Sequence, residues 1–382
     1  MPELVAIDVE QGPRLVALLE DVWGRGDTAC VVDQRLGAPA RAAQLAALAP
    51  TRHLVDDGES VVERRIGTGT GTEPGDALVV CTSGSASRPR AVVLTHAAIA
   101  ASAVATSSRL EVDPRSDGWL CCLPCAHIGG LAVITRALHT GTPLQIHSGF
   151  DADRVAGSTG NGVTLTSLVA TALGRLRAPE AFRRILLGGA APPSEVPPNV
   201  VTTWGMTETG SGVVYDGVPL DGVDVAVLDG ELCVRGPMLA RAYRDGTPLG
   251  GVGPDGSGGW LATGDGGSFE SGIVRVFGRL AEVITTGGEK VWPLDVEAVL
   301  ARHPRVAEVA VWKRPDVEWG ERVVAWVVPC GEAPSLEELR EHVVARLAPW
   351  AAPKELVVVS ELPRAPSGKV ARRLLDGSAD PA

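Results

Sequence analysis

Lysine is nearly missing from this chain. Its only lysines are Lys290, Lys313, Lys354 and Lys369, so everything before Lys290 uses arginine alone as its long cation. Any chemistry that needs an ammonium group must therefore come from the last quarter of the sequence. A basic block is missing too, and the net charge is −11. That argues against nucleic acid or an anionic membrane surface as the main partner. No apolar run approaches the roughly 18 residues of a membrane span. Met1-Pro2-Glu3-Leu4 has neither a basic nor an apolar leader character, so the expectation is no signal peptide and a cytoplasmic location. A homo-oligomer is compatible with all of this. There is no internal repeat. The seven cysteines are odd in number, and Cys121, Cys122 and Cys125 cluster, but no second Cys/His pair stands at ligand spacing. The reading is buried, reduced thiols and not a zinc site.

What is present points to a globular enzyme. A hydrophobic fraction of 45% with 21% charged residues is that of a folded protein. At 382 residues the chain exceeds one ordinary core and calls for two domains or three. Up to about residue 210, strand patterns alternate with helical ones. Strands are expected at 28–32, 53–55, 77–81, 91–94, 119–123, 144–146, 162–165, 184–187 and 200–203. Helices are expected at 14–23, 41–48, 97–110 and 131–139, with Thr95 as the cap of the third. Residues 1–66 show no site, and Gly67 to Thr72 reads as a flexible link. After Gly210 the texture changes to short β runs at 223–227, 231–235 and 273–277. Beyond Gly278-Arg279-Leu280-Ala281-Glu282 lies a smaller α+β unit. In it Pro293 opens a helix and Ser335-Leu336-Glu337-Glu338 is a capping box.

The chain is organised around Val79 to His96. An apolar strand empties into Thr82-Ser83-Gly84-Ser85-Ala86-Ser87-Arg88-Pro89-Arg90, and a second apolar run follows. Backbone N–H groups, hydroxyls and guanidinium all donate to phosphate oxygens, so such a loop can hold an anion. It is not a Walker A loop, because the Gly-Lys pair is absent. The other notable loops also follow strands: Leu123-Pro124-Cys125-Ala126-His127, Gly188-Gly189-Ala190 and Trp204-Gly205-Met206-Thr207-Glu208. Ligands bind at the carboxyl ends of strands in open α/β sheets. Arg136 stands alone as a cation in an otherwise apolar helix, where it must pair, snorkel or reach a cavity.

Together these loops resemble the adenylate-forming superfamily of acyl-CoA synthetases, peptide-synthetase adenylation domains and luciferases. The 82–91 stretch is similar to that family's T-S-G-T-T-G-x-P-K-G, and Leu123 to Gly130 to its L-P-x-x-H-x-x-G. Trp204 to Glu208 is similar to Y-G-M-T-E. Thr263-Gly264-Asp265, Gly278-Arg279, Gly287-Gly288-Glu289-Lys290 and Pro363 to Lys369 fill the remaining slots in order. The resemblance spans about residues 75 to 375 and departs from the pattern at Ser87, Arg90, Ala91, Trp204 and Ala281.

The resemblance implies a fold and a chemistry. The expected architecture is α/β, with a large N-terminal domain (1–280) of α/β layers carrying an antiparallel β subdomain. A small, mobile α+β domain (281–382) follows it. Thr82, Ser83, Gly84, Ser85, Ser87 and Arg90 would bind the ATP phosphates, and Glu208, with Thr82, would bind Mg²⁺. Gly188, Gly189, Ala190, Trp204 and Gly205 would flank the adenine, and Asp265 and Arg279 would take the ribose. His127, Arg136, Ser167 and Thr207 would line the acyl pocket, and Gly287, Gly288 and Lys290 the path of coenzyme A. Lys369, Arg279 and His127 would be catalytic. Lys369 would offset the repulsion between the acyl carboxylate and the α-phosphate. Within the superfamily the chain looks most like the o-succinylbenzoate–CoA ligase group of menaquinone biosynthesis, for three reasons. It is short, Ser211 to Leu220 resembles that group, and Arg136 stands nine residues after His127, where it can face a second substrate carboxylate. The alternatives are another aryl- or short-chain acyl-CoA ligase, a catalytically silent nucleotide-binding relative, or a metal module built on the clustered cysteines.

Overall fold

The computed structural model describes residues 1–58, 60–82, 90–193, 195–251, 253, 256–364 and 370–375. It forms two compact units. One comprises 1–226, 233–262 and 270–274, and the other 227–232, 263–269 and 275–382.

The first unit is built on two seven-stranded sheets. In the first sheet the strands run in the order Ala242–Tyr243, Arg90–Thr95, Asp76–Thr82, Thr28–Val31, Leu4–Asp8, Arg52–Asp56 and Val61–Arg65. Its central strands are parallel and its flanks antiparallel. The second runs Val218–Pro219, Ser211–Tyr215, Val200–Met206, Arg184–Leu187, Leu165–Leu168, Trp119–Cys121 and Leu144–Ile146. Its last five strands are parallel. Helix His96–Arg109 packs on the strands Asp76–Thr82 and Arg90–Thr95. Helix Ile128–Thr140 packs on Trp119–Cys121 and Leu165–Leu168, and the two helices pack on each other. Thr95 caps the first of them, its Oγ1 accepting from the Ala98 N–H at 3.1 Å.

Three local expectations are corrected. The strand placed at 162–165 is Leu165–Leu168, so Thr166 and Ser167 lie inside it. Position 162 is a glycine at φ +81°, which ends the preceding turn. The strand expected to stop at Thr203 continues to Met206 because Ser211–Tyr215 folds back and pairs with it. The stretch 67–72 is no loose link: Thr72 is buried against Thr28, with their Oγ1 atoms 2.7 Å apart. The Arg244 guanidinium also donates to the Thr70 and Gly71 carbonyls. Low-complexity composition misleads here because distant side chains supply the order.

The strands Asp224–Leu228, Glu231–Arg235, Leu261–Glu270 and Ile273–Arg279 belong to a four-stranded sheet. In the second unit, Val306–Asp316 and Gly320–Pro329 pair antiparallel, and Glu355–Val358 joins the latter in parallel. Helices Pro293–Leu300 and Leu336–Val344 cover the sheet, burying Val296, Leu300, Val311, Val323 and Leu339. The capping box forms as expected: the Ser335 N–H donates to Glu338 Oε2 at 2.7 Å, and the Glu338 N–H to Ser335 Oγ at 3.3 Å.

Candidate active site

The chemistry-bearing loops of the first unit leave the strands where the parallel order predicts. Strands Asp76–Thr82 and Arg90–Thr95 form a hairpin in which Thr82 pairs with Arg90. Ser83, Gly84, Ser85 and Ser87 lie outside the described residues, as does Lys369. Arg90 is exposed, and its guanidinium carbon lies 3.6 Å from the centre of the Tyr243 ring. The Tyr243 hydroxyl donates to Glu208 Oε1 at 2.9 Å. Burial, reinforced by the Glu208 carboxylate beside it, pushes the Tyr243 hydroxyl up to about 12, so it remains a donor at neutral pH. Glu208 sits on the 3₁₀ turn Thr207–Thr209, which Thr209 closes by accepting the Met206 N–H at 2.9 Å. The structure thus joins two sequence-expected residues, Arg90 and Glu208, through a third that sequence reasoning missed.

The expected adenine-flanking residues stand on adjacent strands. Gly188, Gly189 and Ala190 follow Arg184–Leu187, and Trp204 and Gly205 lie within Val200–Met206, the next strand in register. Gly205 is required by packing: a Cβ there would meet the Ser211 carbonyl oxygen at 2.2 Å. The ladder shifts register between Trp204 and Gly205, which face Val214 and Gly212, so the bulge lies on the partner strand at Val213.

His127 closes the loop before helix Ile128–Thr140. Its Nε2 lies 3.3 Å from Oδ2 of the buried Asp33, to which Arg35 donates through Nε at 2.8 Å and Nη2 at 2.7 Å. Burial opposes ionisation of Asp33, yet the hydrogen bonds from Arg35 and His127 hold its carboxyl well below the usual carboxylate range. Gln11 fastens the same loop. It donates to the Leu123 and His147 carbonyls at 3.0 and 2.7 Å and accepts from the Cys125 N–H at 2.9 Å. Residues 1–66 therefore do reach the site. Asp33 and Gln11 carry no motif, but each follows a strand of the central parallel set, which was the available signal.

Arg136 does not reach the surface. It is 3% exposed, its Nε has no hydrogen-bond partner, and no carboxylate among the described residues pairs with it. Its guanidinium carbon lies 5.8 Å from the centre of the Trp119 ring. Trp119 registers with Leu165 in the sheet, and side chains alternate, so Trp119, Cys121, Leu165 and Ser167 share one face. Helix Ile128–Thr140 covers that face, as the Cys121 Sγ contact of 3.5 Å to the Gly130 carbonyl shows. Trp119 Nε1 and Ser167 Oγ are buried and without partners as well. Two polar side chains on this face and one on the helix over it carry unsatisfied atoms, an arrangement that costs stability unless a ligand or water completes it. The clustered thiols do not converge. Cys121 and Cys125 bury their sulfurs 3.6 Å apart, whereas Cys122 lies on the opposite face beside Thr166 and is pushed up to about 12 by burial.

In the second unit Arg279 Nε lies 3.0 Å from Asp265 Oδ1, and Arg279 Nη1 donates to the Thr263 carbonyl at 2.8 Å. The two residues expected to take the ribose are thus together. Gly287 and Gly288, at φ +61° and +88°, form the two-residue turn between strands Ile284–Thr286 and Glu289–Val291. Lys290 is exposed on the returning strand.

Comparison with known proteins places this geometry. Residues 55–244 match the AMP-binding enzyme family model and residues 295–369 that of the AMP-binding enzyme C-terminal domain. A probable 2-succinylbenzoate–CoA ligase of Mycobacterium tuberculosis is 42% identical over 328 residues, spanning 78% of this chain and 83% of the relative. The chain belongs to the AMP-binding enzyme family. A 2-succinylbenzoate–CoA ligase of Bacillus cereus is 34% identical over 337 residues, 78% of this chain and 69% of the relative. Among solved structures, the o-succinylbenzoate CoA synthetase (MenE) of Bacillus subtilis, in complex with the acyl-adenylate intermediate OSB-AMP, superposes with a TM-score of 0.84. It has 28% identity, and the match covers 98% of this chain and 88% of that one. The same enzyme in complex with ATP and magnesium ion also superposes at 0.84, over 98% and 89%. The family expected from the motifs is the family found.

Proposed function

We propose that this chain is an ATP-dependent acid–CoA ligase that joins o-succinylbenzoate to coenzyme A through an acyl-adenylate, within menaquinone biosynthesis and in the cytoplasm. The relatives carry the reaction type. The observation that carries the substrate is Arg136: a buried guanidinium with no carboxylate partner among the described residues, on the helix that covers the sheet face of Trp119 and Ser167. o-Succinylbenzoate has two carboxylates. One is activated, and the other can take the charge and hydrogen bonds that Arg136 lacks among the described residues. His127, oriented by Asp33, borders the acid, and Thr207 stands beside Glu208.

In this reading ATP binds with its phosphates along Thr82 to Arg90, its adenine against Trp204, and its ribose at Asp265 and Arg279. Glu208, a half-exposed carboxylate engaged among the described residues through Oε1 by Tyr243, fits a hard cation that also takes phosphate oxygens, and magnesium there would neutralise the phosphate charge. The acid's carboxylate attacks the α-phosphorus and pyrophosphate leaves. Lys369 holds the two anions in line. The small domain then turns about Arg279–Glu282, and the CoA thiol, passing Gly287 and Gly288, displaces AMP. The test is acid-dependent pyrophosphate release across a panel of carboxylic acids. Release is expected to be fastest with o-succinylbenzoate. Equal or faster release with monocarboxylic aryl acids would overturn the substrate assignment, and no release with any acid would overturn the ligase itself.

A further inference from the structure

We propose that Tyr243 is a positioning residue that couples Glu208 to Arg90 and so sets how tightly magnesium–ATP is held; this rests on the ligase reading above. Tyr243 is one of only two tyrosines in the chain. Its backbone is fixed from both sides. Ala242 and Tyr243 pair with Val93 and Val92, and the Arg241 and Arg244 N–H groups donate to the Val93 and Ala91 carbonyls at 2.9 and 2.8 Å. The flanking side chains are anchored as well: Arg241 grips Asp76 through two bonds of 2.9 Å, and Arg244 donates to the Gly71 carbonyl at 2.8 Å. The same segment reaches the metal turn through its backbone, because the Ala240 N–H donates to the Glu208 carbonyl at 2.8 Å.

From this rigid base the side chain does two things. Its hydroxyl engages Glu208 Oε1 at 2.9 Å, orienting the carboxylate while leaving Oε2 to other partners. Its ring takes the Arg90 guanidinium at 3.6 Å. Stacking uses the face of a guanidinium, so the in-plane N–H donors of Arg90 stay available to phosphate oxygens. One side chain therefore pre-orders the cation's carboxylate and the phosphate loop's arginine, two groups that would otherwise lose rotamer freedom when nucleotide binds.

The test measures binding without turnover. The full chain is titrated calorimetrically with α,β-methylene-ATP, with and without magnesium, in the absence of acid and CoA. Tyr243→Phe removes only the hydroxyl. It is expected to raise the magnesium concentration for half-saturation about tenfold while leaving the metal-free affinity unchanged. Tyr243→Leu also removes the platform for Arg90 and is expected to weaken binding with and without magnesium. Tyr215→Phe, which deletes the hydroxyl facing Thr106 at 3.1 Å, serves as the structural control and is expected to change neither. Unaltered magnesium dependence in Tyr243→Phe would overturn the coupling. An equal loss with and without metal would reduce Tyr243 to a packing residue and overturn it too. Wild-type chain that fails to bind the analogue would overturn the ATP reading itself, an outcome separate from the other two.

Discussion

Two polar regions of the first unit are built in opposite ways. Around Glu208, Tyr243 and Arg90, and again around Asp33, Arg35 and His127, each polar group meets a protein partner within hydrogen-bonding or stacking distance. Where helix Ile128–Thr140 covers the sheet, Arg136 Nε on the helix and Trp119 Nε1 and Ser167 Oγ on the sheet are sealed from solvent with none. A satisfied network rigidifies what it holds, whereas an unsatisfied one costs the apo protein stability that a complementary ligand returns. On the proposed reading, the difference separates machinery that is pre-set from a face whose missing partner comes with the substrate.

The largest effect is expected in the satisfied region nearest the phosphates. Glu208→Gln keeps the shape but removes the charge, and should lower pyrophosphate release about 100- to 1,000-fold at saturating acid. Asp33→Asn should cost about 1–3 kcal/mol in urea unfolding at pH 7, because it breaks a buried charged network. The sign with pH follows from the depressed Asp33 carboxyl: its contribution is full above the unfolded value near ~4 and fades as pH falls toward the folded one, so the gap between variant and wild type should narrow in acid. The smallest effects give the sharpest contrast, since they come from neighbouring residues of one strand. Thr166 Oγ1 donates to the Leu120 carbonyl at 3.0 Å, and Ser167 Oγ donates to nothing. Thr166→Val should destabilise by about 1 kcal/mol, and Ser167→Ala should stabilise by a similar amount while raising KM for the acid. Loss of stability in both would erase the distinction.

Much of this was legible in the sequence, for identifiable reasons. Apolar runs marked most strands of both sheets, and the loops after them carried the family motifs. The first strand, Leu4–Asp8, and the hairpin Ile284–Val291 were not read, the former hidden in a short terminal run and the latter broken by its two glycines. Thr263-Gly264-Asp265 was read as a motif but not as the interior of the ten-residue strand Leu261–Glu270, because glycine and aspartate are poor strand formers that pairing overrides. The partners were the least legible part. Asp33, Gln11 and Tyr243 act through contacts between residues far apart in the chain, and no local pattern announces them. Arg136 was the opposite case: its oddity in an apolar helix was visible at once, and the structure sharpened it from an unplaced charge to a buried one with no carboxylate partner among the described residues.

The most direct test of that assignment is kcat/KM for pyrophosphate release with o-succinylbenzoate in wild type and Arg136→Leu, with stability followed in parallel. The variant should be as stable as wild type or more so, while kcat/KM falls about 10- to 150-fold, the equivalent of roughly 1.5–3 kcal/mol for a lost charged hydrogen bond. A folded Arg136→Leu variant with unchanged kinetics would contradict the account.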